Sequence, residues 1–226
     1  MCSSDLVSTD LAAGLPANVP VFPLSGVLLL PRAHLPLHIF EPRYRAMTED
    51  ALAGDGMIAM IQPRDPSSAE VNPELYPVAC LGRIVNEERL EDGRWQLTLE
   101  GVIRLRVTEE LPLRHGYRSV QADYSEFVDD LRSFDGAKSI DRDALLAAFF
   151  RYLGGRGLST DQEAISRLKD EPLVNALAMA CPFYPAEKQA LLQSKTVMDR
   201  AEMLQALLEL SSRPEAANDD EPPRPN

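Results

Sequence analysis

The chain has 226 residues, 45% of them hydrophobic, and a formal net charge of -12. That is the composition of a globular protein with enough apolar residues for a core, and its acidity disfavours nucleic acid and anionic membrane surfaces as partners. Cys2, Cys80 and Cys181 are odd in number and far apart, which argues against a zinc knuckle, a dithiol redox site or a disulfide framework and fits a reducing cytoplasm.

Residues 1–17 mix Ser, Thr, Asp, Ala and Gly without periodicity and read as a flexible lead-in. They have neither the basic start nor the apolar stretch of a secretory signal. No run in the chain approaches the roughly 18 apolar residues of a membrane span. A cytoplasmic location is expected.

Residues 18–125 read as mainly β. Residues 19–24 form a short strand stopped by Ser25-Gly26, and residues 27–30 are a second apolar run ended by Pro31. Residues 35–40 are extended, with Pro36 suited to a sheet edge or a strand start. Glu41-Pro42-Arg43-Tyr44 opens a helix, since proline in the first turn lacks an N–H the helix would leave unpaired. Glu41 and Arg43 are placed to form an ion pair at its start. Tyr44, Met47, Ala51 and Leu52 lie on its inner face, and Gly54 and Gly56 end it. Residues 57–61 are a compact apolar strand.

Asp92-Gly93 predicts a two-residue type I′ hairpin. After it, Trp95, Leu97, Leu99, Gly101, Ile103, Leu105 and Val107 point one way, while Gln96, Thr98, Glu100, Val102, Arg104, Arg106 and Thr108 point the other. The strand is long enough to bend, with Gly101 as the expected bulge. Strands over 82–90 and 117–124 flank it. A long curled antiparallel sheet with one helix implies a small, partly open barrel.

Residues 126–138 are acidic and poorly patterned and read as a linker. Residues 139–211 read as a helical bundle, with segments over 141–153, 160–169, 172–180, 185–193 and 196–210, or four helices if two of these merge. Thr160 and Glu163 have capping-box spacing. Val197, Ala201, Leu204 and Leu208 form one apolar stripe, read as core packing. Residues 212–226, rich in proline and acid, read as a disordered tail.

Three blocks, in this order, resemble the amino-terminal, substrate-binding domain family of Lon proteases. They are VFPLSGVLLLPRAHLPLHIFEPRYRAM at 21–47, Leu90-Glu91-Asp92-Gly93 with Leu99-Glu100-Gly101-Val102-Ile103-Arg104, and Asn175-Ala176-Leu177-Ala178 through Pro185-Ala186-Glu187-Lys188-Gln189-Ala190-Leu191-Leu192. The likeness spans about residues 18–211 and is to a stand-alone bacterial type. It implies an α+β fold: a PUA-like β pseudo-barrel with one inserted helix, followed by a C-terminal helical bundle. It further implies a proteolysis-related module that engages protein.

No G-x-x-x-x-G-K-[ST] phosphate loop is present, and Gly154-Gly155-Arg156-Gly157 lacks its lysine. Neither ATP hydrolysis nor peptide cleavage is therefore expected. Ser166 and Lys169 match an S-x-x-K spelling at a spacing that puts both on one helix face, but S-D-N and K-T-G companions are missing. Ser194-Lys195 reads as a turn or cap rather than a dyad. His34 and His38 flank Pro36 in an extended segment, so no helical metal pair is expected.

The expectation is thus a non-catalytic binding module for unfolded polypeptide or a specific protein partner, with no catalytic, cofactor or metal residues. Leu35, Phe40 and Tyr44 at the strand-to-helix corner are the candidate contacts, and they are equally candidates for core. The alternative is a small-ligand or enzymatic domain using a pocket between barrel and bundle. RNA binding would need an exposed basic stripe along Arg104 and Arg106.

Overall fold

The computed structural model describes residues 12–132 and 140–212, apart from residues 13, 66, 69 and 71. Most of the flexible segment expected over 1–17, the end of the expected linker and nearly all of the expected tail lie outside the described residues.

Six strands form the barrel: β1 Asn18–Pro23, β2 His34–Ile39, β3 Met57–Ile61, β4 Val78–Arg89, β5 Trp95–Arg114 and β6 Tyr117–Asp123. Their order is β2-β5-β4-β3-β1-β6, and a further β5–β6 pairing closes the ring. Closure depends on the length of β5. One of its edges pairs with β4, while the other is shared in succession by β2, along 95–100, and by β6, along 106–114. Strand β2 is therefore a flap on the ring, and among the described residues its outer edge is free. Among the described strands only β1 and β3 pair in parallel. The joining segment between them supplies β2 and helix α1, Pro42–Ala53, whose N-cap is Glu41.

The alternation along β5 holds on the inner side, where Leu97, Leu99, Ile103 and Leu105 are buried. The bend falls where glycine predicted it. The β4–β5 register slips between Leu81–Ile103 and Gly82–Gly101, and Gly101 exchanges backbone bonds with Arg32 and Ala33 (2.7 and 2.8 Å). A Cβ at 101 would collide with the Leu30 carbonyl, so only glycine lets the 27–31 run cross so closely. That run is a loop rather than a strand, yet it buries Leu28, Leu29 and Leu30 completely in the core.

The turn at Asp92-Gly93 differs from expectation. Leu90 N–H bonds to Arg94 O at 2.8 Å, so the loop is Glu91-Asp92-Gly93, three residues long. Among the described non-glycine residues only Arg32 and His115 have positive φ; Asp92 therefore lacks the left-handed backbone a type I′ turn demands. Positive φ at both central residues occurs instead at His115-Gly116 (50° and 82°), between β5 and β6.

Residues 125–131, where the linker was expected to begin, form a 3-10 helix, Ser125–Leu131, with Phe127 and Asp130 buried. Five separate α-helices follow: α2 Arg142–Gly155, α3 Gln162–Arg167, α4 Asp170–Ala180, α5 Pro185–Gln193 and α6 Val197–Ser211. Asp161, not Thr160, caps α3, accepting a bond from Ala164 N–H at 2.9 Å. Thr196 and Asp199 form a reciprocal capping box on α6 (3.1 Å each way). Helix α6 packs on α2, α4 and α5 through Ala201, Leu204 and Leu208. Helix α5 lies on the barrel, with Gln189 Nε2 donating to Val78 O at 3.1 Å.

Candidate functional site

The strand-to-helix corner separates the three candidate contacts. Leu35 is half-buried on β2 opposite Leu99. Phe40 follows the last residue of β2 and is 61% exposed; its ring lies 6.1 Å from that of His38. Tyr44 turns inward and is 6% exposed, its ring 4.4 Å from Phe22 beneath the Arg43 guanidinium at 4.5 Å. Burial raises its hydroxyl pKa above the ordinary value. Tyr44 is thus a core residue, and Leu35 and Phe40 alone reach the surface. The Glu41–Arg43 pair forms as expected, at 2.9 Å.

The free edge of β2 has a defined polarity. Gly101 N–H bonds to Ala33 O, and the pairing continues in register through Leu35–Leu99, Leu37–Leu97 and Ile39–Trp95. Backbone groups of antiparallel strands alternate in direction, so those of His34, Pro36 and His38 face outward. Pro36 lies in the middle of this edge and contributes a carbonyl but no N–H. On the sheet face inward of this edge, across β2, β5 and β4, an open groove of about 600 Å³ is lined by Pro36, Leu37, His38, Glu87, Glu88 and Gln96, among others.

A second constellation escaped sequence reading. It lies where the barrel meets the helices, around a cavity of about 350 Å³ lined by Arg32, Arg104, Arg132, Lys195 and Arg200 together with Asp129, Asp130 and Glu171. Arg104, expected on the exposed face of β5, is buried. It forms two 2.8 Å bonds to Asp130 and caps the carbonyls of Leu192, Ser194 and Lys195 at 3.0, 2.5 and 3.2 Å. Arg106 pairs with Glu126 at the surface. The basic stripe that RNA binding would need is therefore absent at these two positions.

Arg32, in left-handed backbone (φ 64°), forks onto the Glu171 carboxylate and reaches Asp130 O. Arg200 donates to Leu191 O and Asn175 Oδ1, both at 3.0 Å, and Asn175 Nδ2 donates to Pro31 O at 3.1 Å. The signal that could have found this cluster was polar residues at positions of helical stripes otherwise apolar, namely Asn175 and Arg200.

The enzyme-like spellings come apart. Ser166 lies in α3 and Lys169 is the N-cap of α4, with the chain extended between them at Leu168 (ψ 144°); the two do not share a helix face. Ser194 ends α5, its hydroxyl donating to Ala190 O at 3.1 Å. Cys80 and Cys181 are buried thiols whose pKa values burial raises, Cys181 to about 11, the reverse of an activated nucleophile. Among the described residues no group of three or more His, Cys, Asp or Glu side chains could hold a metal ion, and no helix is long and apolar enough to cross a membrane.

A closed barrel with a strand flap and a docked helical bundle defines an α+β fold of the PUA-like type, and its solved neighbours share it. A Lon N-terminal domain protein from Xanthomonas campestris superposes with TM-score 0.59 at 21% identity, covering 84% of this chain and 98% of that one. The N-terminal domain of a Mycobacterium avium complex Lon protease gives TM-score 0.56 at 18% identity, covering 84% and 97%.

The family model described as the ATP-dependent protease La (LON) substrate-binding domain matches residues 18–209. The chain belongs to that family. Relatives include Lon protease 2 of Syntrophobacter fumaroxidans, 25% identical over 80% of this chain, and Lon protease 1 of Thermus thermophilus, 27% identical over 84%. The chain spans 23% and 24% of their respective lengths.

Proposed function

We propose that this chain is a non-catalytic, protein-binding module that takes extended segments of unfolded polypeptide along β2, without ATPase or peptidase chemistry of its own. The observation that carries the reading is the free outer edge of β2 ending in the exposed ring of Phe40. An extended peptide can add to such an edge through backbone bonds, with side-chain pockets setting preference. An exposed aromatic at the end of the strand supplies an apolar anchor at small entropic cost.

The family's designation as a substrate-binding domain supports the same reading. Two carboxylates on the face of the same sheet, Glu87 and Glu88 of β4, favour clients with basic residues next to apolar ones.

The test is fluorescence anisotropy of a labelled, permanently unfolded protein titrated with this chain in the absence of nucleotide. Saturable micromolar binding that weakens in Phe40→Ala supports the proposal. No binding at high concentration, or binding indifferent to Phe40, overturns it.

A further inference from the structure

The cavity at the junction of barrel and helices has a charge imbalance that its own side chains do not resolve. Five cations line it, Arg32, Arg104, Arg132, Lys195 and Arg200, against three carboxylates, Asp129, Asp130 and Glu171. All three carboxylates are already engaged: Glu171 by Arg32, Asp130 by Arg104 at 2.8 Å and Asp129 by Arg132 at 2.7 Å. Two positive charges are left over in a chain whose formal net charge is -12.

One of them is Arg200, 3% exposed. Among the described residues it forms no ion pair; its charge is answered by a backbone carbonyl and an amide oxygen. A buried guanidinium without a direct ion-pair partner is costly, and Asp130 and Glu171, both engaged by other arginines, act on it only through space. Burial, and then the neighbouring Arg104, depress its pKa to about 10. The other is Lys195, exposed at the rim.

The same wall includes Thr196 and Val197, the N-terminus of the fifteen-residue helix α6. Its capping box occupies the backbone N–H groups of Thr196 and Asp199. The positive end of the helix dipole, partly answered by the Asp199 carboxylate of that box, lies on the same wall.

We infer that this cavity is a binding site for a small, doubly charged oxyanion of the phosphate class, held between the buried Arg200 and the exposed Lys195, with Arg132, whose charge is shared with Asp129, as a further donor at the rim. Two negative charges match the two unanswered cations. A volume of about 350 Å³ leaves room for a small organic body on the phosphate as well. Arg32 and Pro31 come from the barrel, while Glu171, Lys195 and Arg200 come from the helices. Occupancy would therefore tie the two halves together, and the site is separate from the edge of β2.

Calorimetric titration of the whole chain with inorganic phosphate, with ribose 5-phosphate in a parallel arm, tests this against sodium chloride at matched ionic strength. Saturable binding to either phosphate, weakened by about tenfold or more on removal of the two rim cations in Lys195→Ala/Arg132→Ala, is the expected result. Tighter binding of the ester identifies a phosphomonoester as the ligand; equal binding identifies phosphate itself. The proposal is overturned by the absence of heat in both arms, by heat that chloride reproduces, or by equal affinity in the double variant. Both replaced side chains reach the surface, so the variant is expected to fold, and its thermal melt checks that directly.

Discussion

Arg104 of β5 and Asp130 of the 3-10 helix form a fork of two 2.8 Å hydrogen bonds, and both side chains are buried. A third bond, from Arg104 N–H to Asp130 Oδ2 at 3.0 Å, ties the carboxylate to the strand backbone. The remaining guanidinium hydrogens go to the end of α5 and the turn after it, so one residue of the barrel holds three segments that follow it in the chain.

Breaking that fork from one side leaves a buried cation without its counter-charge. Asp130→Ala is expected to destabilise the chain by about 3–5 kcal/mol in urea unfolding, with Asp130→Asn less severe because it retains an acceptor. A loss below about 1 kcal/mol would place the pair in the class of solvated surface bridges and refute its structural role.

Gly101→Ala tests the crossing of the 27–31 loop over β5. The added methyl meets the Leu30 carbonyl, and backbone cannot yield as a flexible side chain would. The expected cost is about 1–3 kcal/mol or more, read as a lowered melting temperature. Gly154→Ala, where a Cβ meets nothing within 4 Å, is the control and should leave the melt unchanged or raise it.

Phe40 and Tyr44 should behave oppositely. Phe40→Ala removes an exposed ring and should alter stability by no more than about 0.5 kcal/mol, while weakening polypeptide binding by about 1–2 kcal/mol. Tyr44→Ala empties a core site beside Phe22 and should cost about 3–5 kcal/mol of stability. Equal destabilisation by the two would contradict their different burial.

Asp50 and Tyr117 link α1 to the β5–β6 turn through a 2.7 Å hydrogen bond. That bond, with help from His115 and Arg114, holds the Asp50 pKa below the usual carboxylate value. Its stabilisation is therefore present above the ordinary carboxylate range and is lost as pH falls through the folded value. Tyr117 moves the other way, raised to about 12, first by burial and then by the bond to Asp50. Its contribution is complete below the pKa of a free tyrosine, about 10, and disappears as pH rises towards the folded value. In Tyr117→Phe, carbon-detected NMR titration should show the Asp50 pKa rising; an unmoved Asp50 would rule out the bond as the main cause.

Local chemistry made much of the architecture legible. The inner face of β5, the edge position of Pro36, the bend at Gly101 and the helix opened by Pro42 all follow from periods of two and 3.6 and from backbone constraints on glycine and proline. These belong to individual residues and their near neighbours. The turn at Asp92-Gly93 misled because the same residue pair serves two loop lengths, and only the φ of Asp92 separates them.

What the sequence by itself determined was therefore the set of elements, the inner face of the barrel and the family to which the three motif blocks belong. What only the tertiary structure decided was which outward-facing residues stay outside. Arg104 occupies a solvent-side position in the alternation of β5, and it is buried because the 3-10 helix and the end of α5 cover that face. Tyr44 and Phe40 are equally aromatic and four residues apart, yet one fills the core and the other lies open beside His38. Burial is a property of what comes back in space to lie on a surface, and contacts such as Arg104 with Leu192, 88 residues apart, leave no trace in local periodicity.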